Sequence, residues 1–176
     1  MKPCYYIDGY NVIHHCPRLR RLVKQDFETA REALIESVSR FCSVSGEKAV
    51  LIFDGRGIQS AATSCPHGSG LEVMYSPGHL SADTVIERMV YGIRGGGMKR
   101  DIIVVTADSG IRELCRAMGA LVMNAVNFLD MVDQRCARLT RELRSAETTP
   151  LPLRLEDRIS RHSLETLKKL RDRLAK

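Results

Sequence analysis

The stretch Ile102-Ile103-Val104-Val105-Thr106-Ala107-Asp108 decides the fold. Four β-branched apolar residues in a row, with no polar alternation, predict a strand covered on both faces. That strand runs directly towards an aspartate. Ala49-Val50-Leu51-Ile52-Phe53-Asp54 repeats the arrangement, and the opening residues 2–8 do so again, ending Tyr5-Tyr6-Ile7-Asp8. Leu71–Tyr75 and Leu121-Val122-Met123 predict two shorter strands. Between them, Phe27, Ala30, Leu34, Val38 and Phe41 keep the helical period and predict a helix over about 26–43, closed by Gly46. Val85, Ile86, Met89, Val90 and Ile93 mark a helix beginning near Ala82, and Ile111, Leu114, Cys115 and Met118 one ending near Gly119. A long helix covers about 126–144. Residues 9–17 read as turn-like and residues 55–70 as an exposed loop. Strands alternating with helices imply an α/β fold with a mostly parallel sheet.

The chain has 176 residues, which suits one domain with a short appendage. A linker at Thr148-Thr149-Pro150-Leu151-Pro152 divides a domain over residues 1–146 from residues 147–176. There Ile159, Leu164, Leu167, Leu170 and Leu174 predict a basic amphipathic C-terminal helix. The net charge of +6 is confined to the end of the chain: residues 1–134 hold 15 basic and 15 acidic residues, and residues 135–176 hold 12 and 6. A basic tail suits a phosphate-rich partner, although the same residues also solvate exposed helix faces. The opening residues lack the apolar stretch of a signal peptide, and no apolar run approaches the length of a membrane span, so a cytoplasmic protein without membrane contact is expected. Six cysteines, at positions 4, 16, 42, 65, 115 and 136, contain no Cys-x-x-Cys pair. Reduced thiols explain them better than disulfides, and neither the His14-His15-Cys16 group nor Cys65, His67 and His79 has the paired spacing of structural zinc. The oligomeric state is open.

Parallel strands align their C-terminal ends, so Asp8, Asp54 and Asp108 should meet at one edge of the sheet, where open α/β sheets bind ligands. Asp83 opens the helix after the third strand, and Glu87 follows one turn later on the same face. Each acid alone has a structural reading, as a helix cap or a turn residue. Together they repel one another unless a cation lies between them, and a hard ion such as Mg²⁺ or Mn²⁺ is the natural occupant. No His or Lys lies beside these strand ends to act as a base, which favours metal-assisted hydrolysis of a phosphate ester. Arg56, Lys99 and Arg100 are candidates to touch a phosphate backbone, and read equally as solvated loop residues. Gly95-Gly96-Gly97-Met98-Lys99-Arg100 lies before its strand and lacks the Walker pattern, so it reads as a loop.

Ile7-Asp8-Gly9-Tyr10-Asn11-Val12-Ile13 resembles the opening motif of the NYN domain family, in its YacP-like branch, a relative of the PIN and flap nucleases. Phe27-Glu28-Thr29-Ala30-Arg31-Glu32-Ala33-Leu34-Ile35, Phe53-Asp54-Gly55, Ser81-Ala82-Asp83-Thr84-Val85-Ile86-Glu87 and Val105-Thr106-Ala107-Asp108-Ser109 resemble further family motifs, in the right order, over roughly residues 4–145. The resemblance implies a PIN-like three-layer sandwich and metal-dependent RNA endonuclease chemistry, leaving a 5′-phosphate and a 3′-hydroxyl. It assigns Asp8, Asp83 and Asp108 to the metal site, with Asp54 a fourth catalytic acid; Glu87, from its place one turn past Asp83, is expected to assist the metal. Asn11 would orient Asp8 or a phosphate. One helical turn past the last aspartate, some relatives carry another carboxylate; here Arg112 stands there, which leaves the number of ions open and makes Arg112 a candidate RNA contact. The family includes ribosome-associated messenger-RNA cleavers, which brings in single-stranded or messenger RNA and the ribosome as expected partners. The alternative is a non-catalytic RNA- or ribosome-binding module that retains the nuclease fold. An aspartyl phosphatase of the haloacid dehalogenase type needs an acid where this chain has Tyr10.

Overall fold

A computed structural model describes residues 2–55, 63–66, 70–95 and 101–148. The uninterrupted apolar runs form the centre of a six-stranded sheet. In chain order the elements are β1 (Cys4–Asp8), α1 (Gly9–His15), α2 (Pro17–Val23), α3 (Phe27–Ser45), β2 (Lys48–Phe53), β3 (Thr63–Pro66), β4 (Leu71–Tyr75), α4 (Ala82–Gly95), β5 (Ile102–Val105), α5 (Ser109–Ala117), β6 (Leu121–Met123) and α6 (Ala125–Thr148). The strand order is β3-β4-β2-β1-β5-β6. All neighbours are parallel except β3, which runs antiparallel to β4. The chain divides into two compact units, Met1–Leu139 and Thr140–Lys176, and the first contains the whole sheet. The expected C-terminal basic helix lies outside the described residues. No helix among them is long and apolar enough to cross a membrane.

The sheet is buried on both faces, which is why its central strands read as continuous apolar runs. On one face Tyr5, Ile7, Leu51, Phe53 and Val73 pack with residues of α1, α2, α3 and α6. On the other, Cys4, Tyr6, Val50, Ile52, Ile102 and Val104 pack with α4 and α5. This is the three-layer α/β/α arrangement, with β1 at its centre. Tyr5, Phe41 and Phe128 form a ring cluster with centroids 5.5–6.2 Å apart on the first face. All three are almost fully buried, and each such ring contributes about 2 kcal/mol through burial alone. Tyr5 also lies against the Glu47 carboxylate, and burial followed by that charge pushes its hydroxyl up to about 12. Arg135 of α6 donates to Glu47 Oε1 at 2.7 Å, and its guanidinium lies over the Phe41 ring.

Two expectations need correction. Residues 9–17 are not a turn but α1 and the start of α2. Asp8 accepts the Asn11 N–H and so caps α1, while Pro17 occupies the first turn of α2, where its missing N–H is no loss. Val12, Ile13 and Leu19 are the buried residues that hold both helices down. The expected loop over 55–70 contains the edge strand β3, held by its ladder to β4 and not by an apolar pattern of its own.

Gly9 lies where the chain leaves the central strand. A Cβ added there would overlap the edge of the Phe53 ring, which is fully buried. Gly9→Ala should therefore lower the unfolding free energy by about 1–3 kcal/mol through overpacking, read as a lower urea midpoint with an unchanged slope.

Candidate active site

Two-sided burial of β1 carries Asp8 to the C-terminal edge of the sheet with only 6% exposure. Its Oδ1 accepts the Asn11 N–H at 3.1 Å. The Asn11 side chain reaches elsewhere: its Oδ1 accepts the Ala107 N–H at 2.7 Å, across 96 residues of sequence. Asn11 thus ties the first turn of α1 to the loop between β5 and α5. Asp108 stands at the end of that loop, where its Oδ1 accepts the Ile111 N–H at 3.0 Å and caps α5. Its own N–H donates to the hydroxyl of the fully buried Thr106 at 3.1 Å.

Asp54 follows β2 and points its Oδ1 at the N–H of Ala82, the first residue of α4, at 2.6 Å. Asp83 is the next residue, in the first turn of that helix. Ser81 completes the cap, its hydroxyl accepting the Thr84 N–H at 3.3 Å. Asp83 and Asp8 face each other closely enough to share a proton. Asp83 Oδ1 is nevertheless buried with no hydrogen-bond partner among the described residues.

The electrostatics link all four aspartates. Burial, joined by the charges of Asp83 and Asp54, pushes the Asp8 carboxyl up to about 7 against the single N–H of Asn11. Asp83 is raised by burial and by Asp108 and Asp54, while its contact with Asp8 pulls the other way. Among the described residues no Lys or Arg forms an ion pair with either acid. Glu87 lies half-buried one turn along α4, and its charge, with that of Asp83, is felt by the buried thiol of Cys115. Arg112 sits half-buried in α5, its N–H bonded to the Asp108 carbonyl.

The structure thus brings Asp8 and Asp83 into direct contact, sets Asp54 and Asp108 beside them as helix caps, and puts Glu87 one turn away. No three His, Cys, Asp or Glu side chains among the described residues already form a cage for an ion. Two carboxylates still fit the way Mg²⁺ is commonly held, with water and substrate phosphates supplying the other ligands. The unpartnered Asp83 oxygen and the crowded Asp8 carboxyl are consistent with such a guest. Arg56, Lys99 and Arg100 lie outside the described residues. Sequence reasoning missed Ser76 and Thr106, two fully buried hydroxyls behind the site. Thr106 was visible only as a polar residue closing an apolar run, and Ser76 only as part of a Ser-Pro-Gly turn.

Residues 5–172 match the YacP-like NYN domain. Over 141 residues the chain is 28% identical to YacP of Bacillus subtilis (strain 168), a match spanning 78% of this chain and 79% of that protein. A crystal structure of a point mutant of Rae1 (YacP) from Bacillus subtilis is similar with a TM-score of 0.69 and 25% identity, covering 84% of this chain and 86% of the other. A second Rae1 (YacP) crystal structure gives 0.64 at 24% identity, covering 98% and 95%.

A carboxyl raised on folding favours the protonated state in the native protein. Its contribution is present at low pH and is lost as pH rises from the ordinary value of 3.8 to about 7. The metal-free protein should therefore lose stability across that window. Asp8→Asn should flatten the slope and raise the unfolding free energy above the window by on the order of 2 kcal/mol, as measured by denaturant titrations at a series of pH values.

Proposed function

The chain belongs to the YacP-like NYN domain family, and on that premise we propose that it is a divalent-metal-dependent endoribonuclease hydrolysing phosphodiester bonds in single-stranded RNA. The observation that supports this best is the buried Oδ1 of Asp83, left without a hydrogen bond among the described residues, beside the buried carboxyl of Asp8. Among the described residues no Lys or Arg is paired with either acid, and a divalent ion would relieve both. Asp8 and Asp83 would hold Mg²⁺ or Mn²⁺, with Asp108 and Glu87 contributing directly or through water. When bound, the ion supplies a lowered pKa for attacking water and compensation for charge developing on the phosphate.

The chain's own residues prepare that chemistry. Ionisation of Asp8 beside Asp83 would leave two adjacent carboxylates, the pair that a cation neutralises. Asn11, through Ala107, sets the spacing between Asp8 and Asp108. Arg112, one turn into α5, would meet a phosphate oxygen, and Arg56, Lys99 and Arg100 are proposed for the RNA backbone on sequence grounds. The basic excess in residues 135–176 adds sequence-independent attraction to RNA. Messenger RNA, met at the ribosome in the cytoplasm, is the proposed substrate, on the strength of the family resemblance. Arg112, standing where some relatives have a carboxylate, favours one second reading: an RNA-binding module without cleavage.

Labelled RNA incubated with the protein and Mn²⁺ decides between the two. Cleavage should appear with the ion, vanish with a chelator, and fall about a thousandfold in Asp8→Asn and Asp83→Asn, equivalent to about 4 kcal/mol in the barrier. Binding without cleavage, in Mn²⁺ and Mg²⁺ alike, would establish the second reading and discard the nuclease.

A further inference from the structure

We infer that Asp54 and Ser76 form a clamp that positions Asp83 for cation capture, so that Asp54 acts through the start of α4 and not as a ligand itself. The inference rests on the metal reading of the site. It starts from a difference among the three strand-end aspartates. Asp8 caps α1 and Asp108 caps α5, in each case the helix that immediately follows. Asp54 instead caps a helix that begins 28 residues later, bonding the N–H of Ala82 at 2.6 Å. The helix it caps is the one that carries Asp83.

Ser76 completes the clamp. Its N–H continues the sheet ladder by donating to the Phe53 carbonyl at 2.9 Å. Its hydroxyl accepts the Gly55 N–H at 3.0 Å and donates to the Leu80 carbonyl at 2.8 Å. Ser76 is fully buried, so these bonds face no competition from water. Gly55 lies so close that an added Cβ would overlap the Ser76 carbonyl oxygen. The end of β2 and the turn over residues 76–81 are therefore joined on both sides of Asp54. The helix start cannot shift without breaking one of these bonds. Asp54 is itself exposed, and its influence on Asp8 and Asp83 is one of charge without direct contact. A clamp needs an acceptor at this position, whereas a ligand needs an anion.

That distinction sets the test. Asparagine keeps the acceptor and caps helices well; alanine keeps neither acceptor nor charge. Mn²⁺ binding to the metal-free full chain is measured by calorimetry, and hydrogen exchange at Ala82 and Asp83 by mass spectrometry, for wild type, Asp54→Asn, Asp54→Ala and Ser76→Ala. Asp54→Asn should bind Mn²⁺ within about threefold of wild type, the size of effect expected from one exposed charge. Asp54→Ala should bind about 10–100-fold more weakly, as supporting residues of metal sites do, with faster exchange at the start of α4. Ser76→Ala should move both readouts the same way. Equal, severe losses in Asp54→Asn and Asp54→Ala with unchanged exchange would make Asp54 a ligand and overturn the clamp, leaving the nuclease reading intact. Failure of the wild type to bind Mn²⁺ would instead sink the metal reading and this inference with it. In that case, wild-type exchange rates in Asp54→Ala would also remove the clamp as a structural feature.

Discussion

An aspartate with 6% exposure cannot carry a full charge unless donors or a cation surround it. Asp8 has one N–H from Asn11 and a second acid, Asp83, in contact with it. Much of the surrounding architecture follows from keeping this unfavourable pair in place. β1 fixes the height of Asp8 by packing on both faces, Asn11 reaches across to Ala107, and Ser81 with Asp54 holds the first turn of α4. The repulsion is thus supported by a rigid frame, and the site stays open to whatever neutralises it.

The opposite end of the sheet treats a buried acid differently. Glu47, just ahead of β2, also keeps an oxygen without a hydrogen bond, yet its other oxygen is paired with Arg135 at 2.7 Å. There the protein provides its own cation, anchored over the Phe41 ring. Glu47 reads as architecture for that reason, joining α6 to the base of β2. The contrast shows that an orphaned oxygen alone says little; what distinguishes the two places is that, among the described residues, no Lys or Arg pairs with Asp8 or Asp83.

Strands buried on both faces must be apolar throughout, so β1, β2 and β5 were plain in the residues themselves, and with them the positions of Asp8, Asp54 and Asp108. The helices α1 and α2 were not, because Asp8-Gly9 and Cys16-Pro17 look like turns when their role is to cap and to start helices. β3 was hidden because an edge strand needs only one neighbour, and Thr63-Ser64-Cys65-Pro66 carries no alternation to mark it. At the site, the convergence of acids followed from parallel topology. Which atom meets which did not, since the Asp54–Ala82 and Asn11–Ala107 bonds span 28 and 96 residues and exist only once the layers have packed.

The strand order has a bearing on when such a site can exist. β1 lies at the middle of the sheet, yet it is synthesised before the other five strands, and its partner β5 follows about a hundred residues later. Domains form as units during synthesis, so the first strand must wait, unpaired on that side, until most of the domain has left the ribosome. A chain that ends short of β5 holds Asp8 without Asp108, so the acids cannot gather at the sheet edge until β5 has docked. Placing the strand that comes before the others at the centre delays the appearance of the assembled acid cluster until β5 has been made.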